Sequence, residues 1–133
     1  MDREILFRGK RIDNGEWMEG YVSKYFDGFK TATCIAWPTR ETITGSLCYD
    51  VDPATVGQYT GLTDKNGKKI FEGDVMEFDA YWLHYKGEVF FDEGVFRVKY
   101  NRPTASTFLM IALLHDAVCV GNIHDNPELL EGD

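Results

Sequence analysis

Apolar and polar residues alternate with a period of two through much of this chain, which is the signature of half-buried β-strands. From Glu4 to Lys10, Ile5 and Phe7 face one way while Glu4, Leu6 and Arg8 face the other. The turn-forming run Asp13-Asn14-Gly15 then predicts a hairpin into a second strand over Glu16 to Ser23, where Trp17, Glu19 and Tyr21 oppose Met18, Gly20 and Val22. Phe29 to Trp37 continues the pattern until Pro38, and the threonine-rich stretch Thr42 to Tyr49 is a weaker strand. Asp52-Pro53-Ala54-Thr55 reads as a corner that begins a helical turn, because proline presets φ and aspartate bonds the backbone ahead of it.

The middle of the chain carries four glycines, at 57, 61, 67 and 73, between short apolar patches. Asp64-Lys65-Asn66-Gly67 is its tight reversal, and Glu72-Gly73-Asp74 opens onto a strand over Val75 to Phe78. Tyr81 to Phe91 reads as one long strand, bent where Gly87 accommodates a bulge. Asp92-Glu93-Gly94 closes a further hairpin into Val95 to Tyr100, the clearest alternation in the sequence. Asn101 to Ser106 is a loop around Pro103, and the apolar run Phe108 to Leu114 fits a buried strand or two helical turns. A strand is favoured, pairing across His115-Asp116-Ala117 with Val118 to Ile123. Asn126-Pro127-Glu128-Leu129-Leu130 has the capping and first-turn residues of a terminal helical turn.

Three segments together resemble the YopX family of phage and prophage proteins. They are Arg3 to Lys10 with Gly15-Glu16-Trp17, then Val56 to Asp74, then Val120-Gly121-Asn122-Ile123-His124-Asp125-Asn126-Pro127-Glu128-Leu129-Leu130. The resemblance implies an all-β protein, encoded by a bacteriophage or integrated element and working inside the bacterial host. It also implies a C-terminal half similar to an SH3-like small barrel, and it brings no established biochemical activity. The fold expected is therefore one domain over 1–133, an N-terminal β-hairpin meander (1–55) packed on a partly open, SH3-like barrel half (56–133), with little helix.

Composition agrees with that class. At 133 residues the chain fits one domain, and its 14% aromatic content suits half-buried pleated surfaces. Its formal charge of -8 repels nucleic-acid phosphates, so nucleic-acid binding is the weaker alternative. The one basic cluster, Arg3, Arg8, Lys10 and Arg11, lies near Trp17 and Tyr21 and is the patch such binding would use. Cys34, Cys48 and Cys119 are odd in number and lack CxxC spacing, which predicts buried reduced thiols in a cytoplasmic protein rather than a disulfide framework. No signal-peptide core precedes the first strand, and no apolar run approaches the ~20 residues of a membrane span.

Candidate chemistry is sparse. His84, His115 and His124 show no metal-binding spacing, and the cysteines sit in apolar runs without a GxSxG-like elbow elsewhere. Carboxylate pairs such as Glu72 with Asp74 lie at turns, and the glycines lack a phosphate-loop context. The expectation is a non-enzymatic accessory protein with no catalytic residues, metal or cofactor, acting through a homo-oligomer or a host or phage protein partner. Its candidate surface is Tyr81, Trp82 and Tyr85, in a run that places large groups on both faces of a strand.

Overall fold

The computed structural model describes residues 4–36, 48–100 and 106–130. The chain divides into two compact units, Met1–Tyr59 and Thr60–Asp133, with the boundary inside a strand. Nearly every element is β, as the alternation predicts.

In the first unit, β1 (Phe7–Lys10), β2 (Trp17–Phe26), β3 (Thr31–Ala36) and β4 (Cys48–Asp50) form an antiparallel array in the order β4-β3-β2-β1. The start of β5 (Gly57–Thr63) adds to β1 through Phe7↔Gln58 and Arg8↔Gly57. The Asp13-Asn14-Gly15 hairpin forms, with Lys10 paired to Trp17 and Gly15 at φ 73°. Leu6 is buried, and Ile35 and Val51 are fully buried. Gly9 lets them close over β1, since a Cβ there would meet both at 3.1 Å. Asp52 caps the 3-10 turn Pro53–Thr55 by accepting from the Ala54 N–H. That turn places Thr55 Oγ1 2.9 Å from the Lys10 amide. Trp37 and residues 42–47 of the expected strands lie outside the described residues.

In the second unit, the end of β5 reverses through Asp64 to Gly67 and enters β6 (Lys69–Phe71). The Asp64 carboxylate accepts from the amides of Asn66, Lys68 and, far along the chain, Cys119. Burial pushes that carboxyl up, but the three N–H donors and the charge of Lys68 outweigh it and hold it below the usual range. After the turn at Gly73, strands β7 (Asp74–Ala80), β8 (Leu83–Asp92), β9 (Val95–Tyr100), β10 (Ser106–Phe108) and β11 (Val118–Asn122) form an antiparallel sheet ordered β10-β9-β8-β7-β11. Met76, Phe78, Ala80, Val89 and Val98 are its buried face. The sheet is open, not closed into a barrel.

Three readings of this half are corrected. The run Phe108 to Leu114 is not a strand: Leu109–Leu114 form helix α1, whose Leu109 and Ala112 join the core. Leu, Met and Ala are strong helix formers, and the single β-branched residue, Ile111, does not offset them. Consequently β11 pairs with β7 instead of with that run. Tyr81 to Phe91 is not one strand either, because Tyr81 and Trp82 form a two-residue turn between the closing pair Ala80↔Leu83. Gly87 marks no bulge: it pairs regularly with Met76 and Tyr100, and a Cβ there would collide with the Lys99 carbonyl oxygen.

The cysteine reading is corrected as well. Cys34 on β3 and Cys48 on β4 form a disulfide, with Cα atoms 5.9 Å apart. Sequence separation gave no hint of it, because strand pairing brings the two together. Cys119 remains a thiol, half-buried, its Sγ 3.4 Å from the Gly121 carbonyl. Burial, assisted by the charge of Asp74, pushes that thiol up and keeps it protonated.

Candidate interaction surface

The β7–β8 hairpin closes in the tightest way available to antiparallel strands. A two-residue loop of the type I′ class requires both residues to turn left-handed, a conformation that favours Asn and Gly. Here the residues are Tyr81 at φ 53° and Trp82 at φ 65°. Register imposes this: Phe78 pairs with Tyr85, Asp79 with His84 and Ala80 with Leu83, leaving two residues for the reversal. A left-handed backbone costs a side-chain-bearing residue about 1–2 kcal/mol. Trp82 receives no burial in return, being 101% exposed, while Tyr81 is 71% exposed with one edge-on contact to the His115 ring at 5.4 Å.

Tyr85 does not belong to this surface. Its ring stacks on Phe78 at 5.2 Å and packs against Tyr100 at 4.8 Å, on the buried face of the sheet. That packing is where strand alternation directs it, since Tyr85 lies directly opposite Phe78. Leu83, opposite Ala80, is instead half exposed beside the turn.

Helix α1 extends the apolar surface. Every one of its residues is apolar, and only one side meets the core, so Met110, Ile111 and Leu114 face outward, Leu114 at 74% exposure. A helix that is apolar all round is ordinarily buried all round. His115, which follows Leu114, stacks at 6.4 Å on Phe78 and touches Tyr81, so the helix and the hairpin tip meet there. Reading Phe108 to Leu114 as a buried strand concealed this side. The signal that reveals it is the Leu-Met-Ala content of the run, which belongs to a helix.

On the opposite face of the hairpin, His84 Nδ1 lies 2.7 Å from Asp79 Oδ1 and Nε2 lies 3.3 Å from Glu77 Oε2. These contacts to Asp79 and then Glu77 raise the imidazole above its ordinary value. The two carboxylates flank opposite edges of the ring, so they do not converge on a common ion. Among the described residues, no three His, Cys, Asp or Glu side chains are grouped to hold a metal. His124 lies in the turn after β11, its N–H donating to Asn122 Oδ1.

The basic cluster is drawn into the first unit. Arg8 is buried, with its guanidinium 4.7 Å from the centre of the Trp17 ring, and Lys10 Nζ lies 5.7 Å from the same ring. Arg11 donates two hydrogen bonds to Asp13 and stacks over Tyr49 at 4.0 Å. That paired guanidinium holds the Asp13 carboxyl below its usual range. Arg3 lies outside the described residues.

The YopX family model, described as "YopX protein", matches residues 6–131. The chain belongs to the YopX family. It is also similar to a solved structure, that of protein EF1440 from Enterococcus faecalis, at 27% identity and a TM-score of 0.59. That match covers 98% of this chain and 100% of the other. No curated protein matches. No helix among the described residues is long and apolar enough to cross a membrane.

Proposed function

We propose that this YopX-family chain is a phage or prophage accessory protein of the host cytoplasm that performs no catalysis and acts by protein association. The surface it uses is the Tyr81-Trp82-Leu83 tip with the outward side of α1. One observation carries this reading: a left-handed turn built from two large aromatics, one of them wholly exposed, is disfavoured within the chain and offsets nothing by burial. Aromatics are enriched at interface centres, where their area is desolvated at small entropic cost. Self-association of two such surfaces is the form the reading takes first.

The test is light scattering across a concentration series, comparing the wild-type chain with the double variant Tyr81→Asn/Trp82→Gly. Asn-Gly keeps the turn and deletes the aromatics. The expected result is an oligomer for the wild type and a monomer for the variant. The reading is overturned if both chains are monomeric and both recover the same proteins from infected cells. A salt-dependent shift of DNA that survives the substitution would favour nucleic-acid binding instead.

A further inference from the structure

We propose that the Cys34–Cys48 disulfide is a reversible thiol-exchange site, with Cys48 as the sulfur that a small thiol attacks and Cys34 as the sulfur that leaves. The bond joins diagonal neighbours: Cys34 pairs with Asp50 and Cys48 with Ala36, so both sulfurs project from the same face of the sheet. Ser23 and Tyr25, in register with Cys34 and Ala32, share that face. The fully buried Ile35 and Val51 belong to the opposite face, so the disulfide does not share their side of the sheet, although Cys34 itself is buried.

The surroundings distinguish the two sulfurs. Cys34 is 4% exposed, with Ser23 Oγ 3.4 Å from its Sγ, whereas Cys48 is half-buried on β4, the outermost strand of this array among the described residues. Cys48 also lines an open recess of about 380 Å³ with Ile12, Asp13, Tyr25, Tyr49 and Asp50. A recess of that size admits a small peptide thiol. Access decides which sulfur is attacked, and here it selects Cys48.

In the first step a thiolate forms a bond to Cys48 Sγ and the Cys34–Cys48 bond breaks. Its electron pair remains on Cys34, where the Ser23 hydroxyl is placed to donate a hydrogen bond. A second equivalent of the same thiol then attacks the mixed disulfide, leaving Cys48 as a thiol and the two small thiols joined as their disulfide. Two electrons thus pass from two thiols to the protein, and the reverse sequence restores the bond.

The edge strand has other ties that survive reduction. The Val51 amide donates to the Thr33 carbonyl and the Ile12 amide to the Asp50 carbonyl, while the Tyr25 hydroxyl donates to Asp50 Oδ1 at 2.7 Å. The site therefore loosens one sheet edge without dissolving the sheet, which reconciles a disulfide with a reducing compartment.

Glutathione is the probe. Non-reduced protein, alkylated in denaturant, is expected to show one free thiol, Cys119, and three after full reduction. Titrating native protein with reduced glutathione should yield a first adduct that peptide mapping places on Cys48, and Cys34→Ser, whose Cys48 is a free thiol, should form the same adduct by exchange with oxidised glutathione and retain it. Circular dichroism of wild-type chain should keep its β signature in both states, with a drop in Tm of roughly 10 °C on reduction. Three free thiols before reduction would overturn the proposal. So would a first adduct on Cys34, a bond that opens only in denaturant, or loss of the β signature on reduction.

Discussion

Strand β8 is entered and left by turns of the same length and opposite logic. At its far end Asp92 pairs with Val95 across Glu93 at φ 51° and Gly94 at φ 81°, and glycine supplies one of the two left-handed positions that the turn demands. At its near end Ala80 pairs with Leu83 across Tyr81 and Trp82, which adopt the same left-handed backbone without glycine. One turn is specified by its own residues. The other is imposed by the strands on either side, whose pairings Phe78↔Tyr85 and Met76↔Gly87 fix the register before the loop is chosen. A conformation held against local preference, and carrying an exposed tryptophan, is the observation on which the proposed association rests.

The comparison is sharpened first by a turn that rests on one side chain. Asp64→Ala removes the acceptor for three backbone N–H groups and is expected to cost about 3 kcal/mol in chemical denaturation. The loss should exceed that from altering either end of β8. Because the carboxyl is held low in the folded state, its contribution is present above the ordinary aspartate range. It disappears as pH falls through the folded value, and the variant should lack that acid-limb loss.

Next comes Gly94→Ala, where the added Cβ would meet nothing within 4 Å, so the loss expected is conformational. A cost of about 2 kcal/mol is expected from the left-handed backbone. A neutral result would show that this sheet absorbs such turns freely, and the case for Tyr81 and Trp82 would weaken with it.

The mirror experiment is Tyr81→Asn/Trp82→Gly, which should stabilise the monomer by about 1 kcal/mol, the relieved backbone exceeding the lost Tyr81–His115 contact. Stability and association are then expected to move in opposite directions. A variant that is destabilised would mean the aromatics serve the fold.

The smallest effect is at His84, opposite Asp79 and one pair from the turn, with Glu77 on its other side and Lys86 opposite Glu77. Its folded pKa is raised, so the stabilisation is fully present below the ordinary histidine value of ~6.5 and is lost as pH rises through the folded value. For contacts this exposed, less than about 1 kcal/mol is expected. Thermal melts at about pH 5.5 and pH 8 should differ slightly for wild type, and His84→Gln should remove the difference.

The alternation of apolar residues and the turn chemistry of Asp13-Asn14-Gly15, Asp64 to Gly67 and Glu93-Gly94 sufficed to place most strands, because those signals act within a few residues. The same is true of the Asp52 cap and the terminal 3-10 turn at Pro127–Leu130, and family membership rests on segments that are themselves mostly turn and strand. Tertiary structure decided what depends on partners distant in the chain. Pairing of β7 with β8 made Tyr81 and Trp82 a turn and sent Tyr85 inward, and a one-sided core left the outer side of α1 bare. Pairing of β3 with β4 joined two cysteines that sequence spacing kept apart. Local propensity is written residue by residue, whereas register and burial are properties of the assembled sheet, and the candidate surface and the disulfide both belong to the second kind.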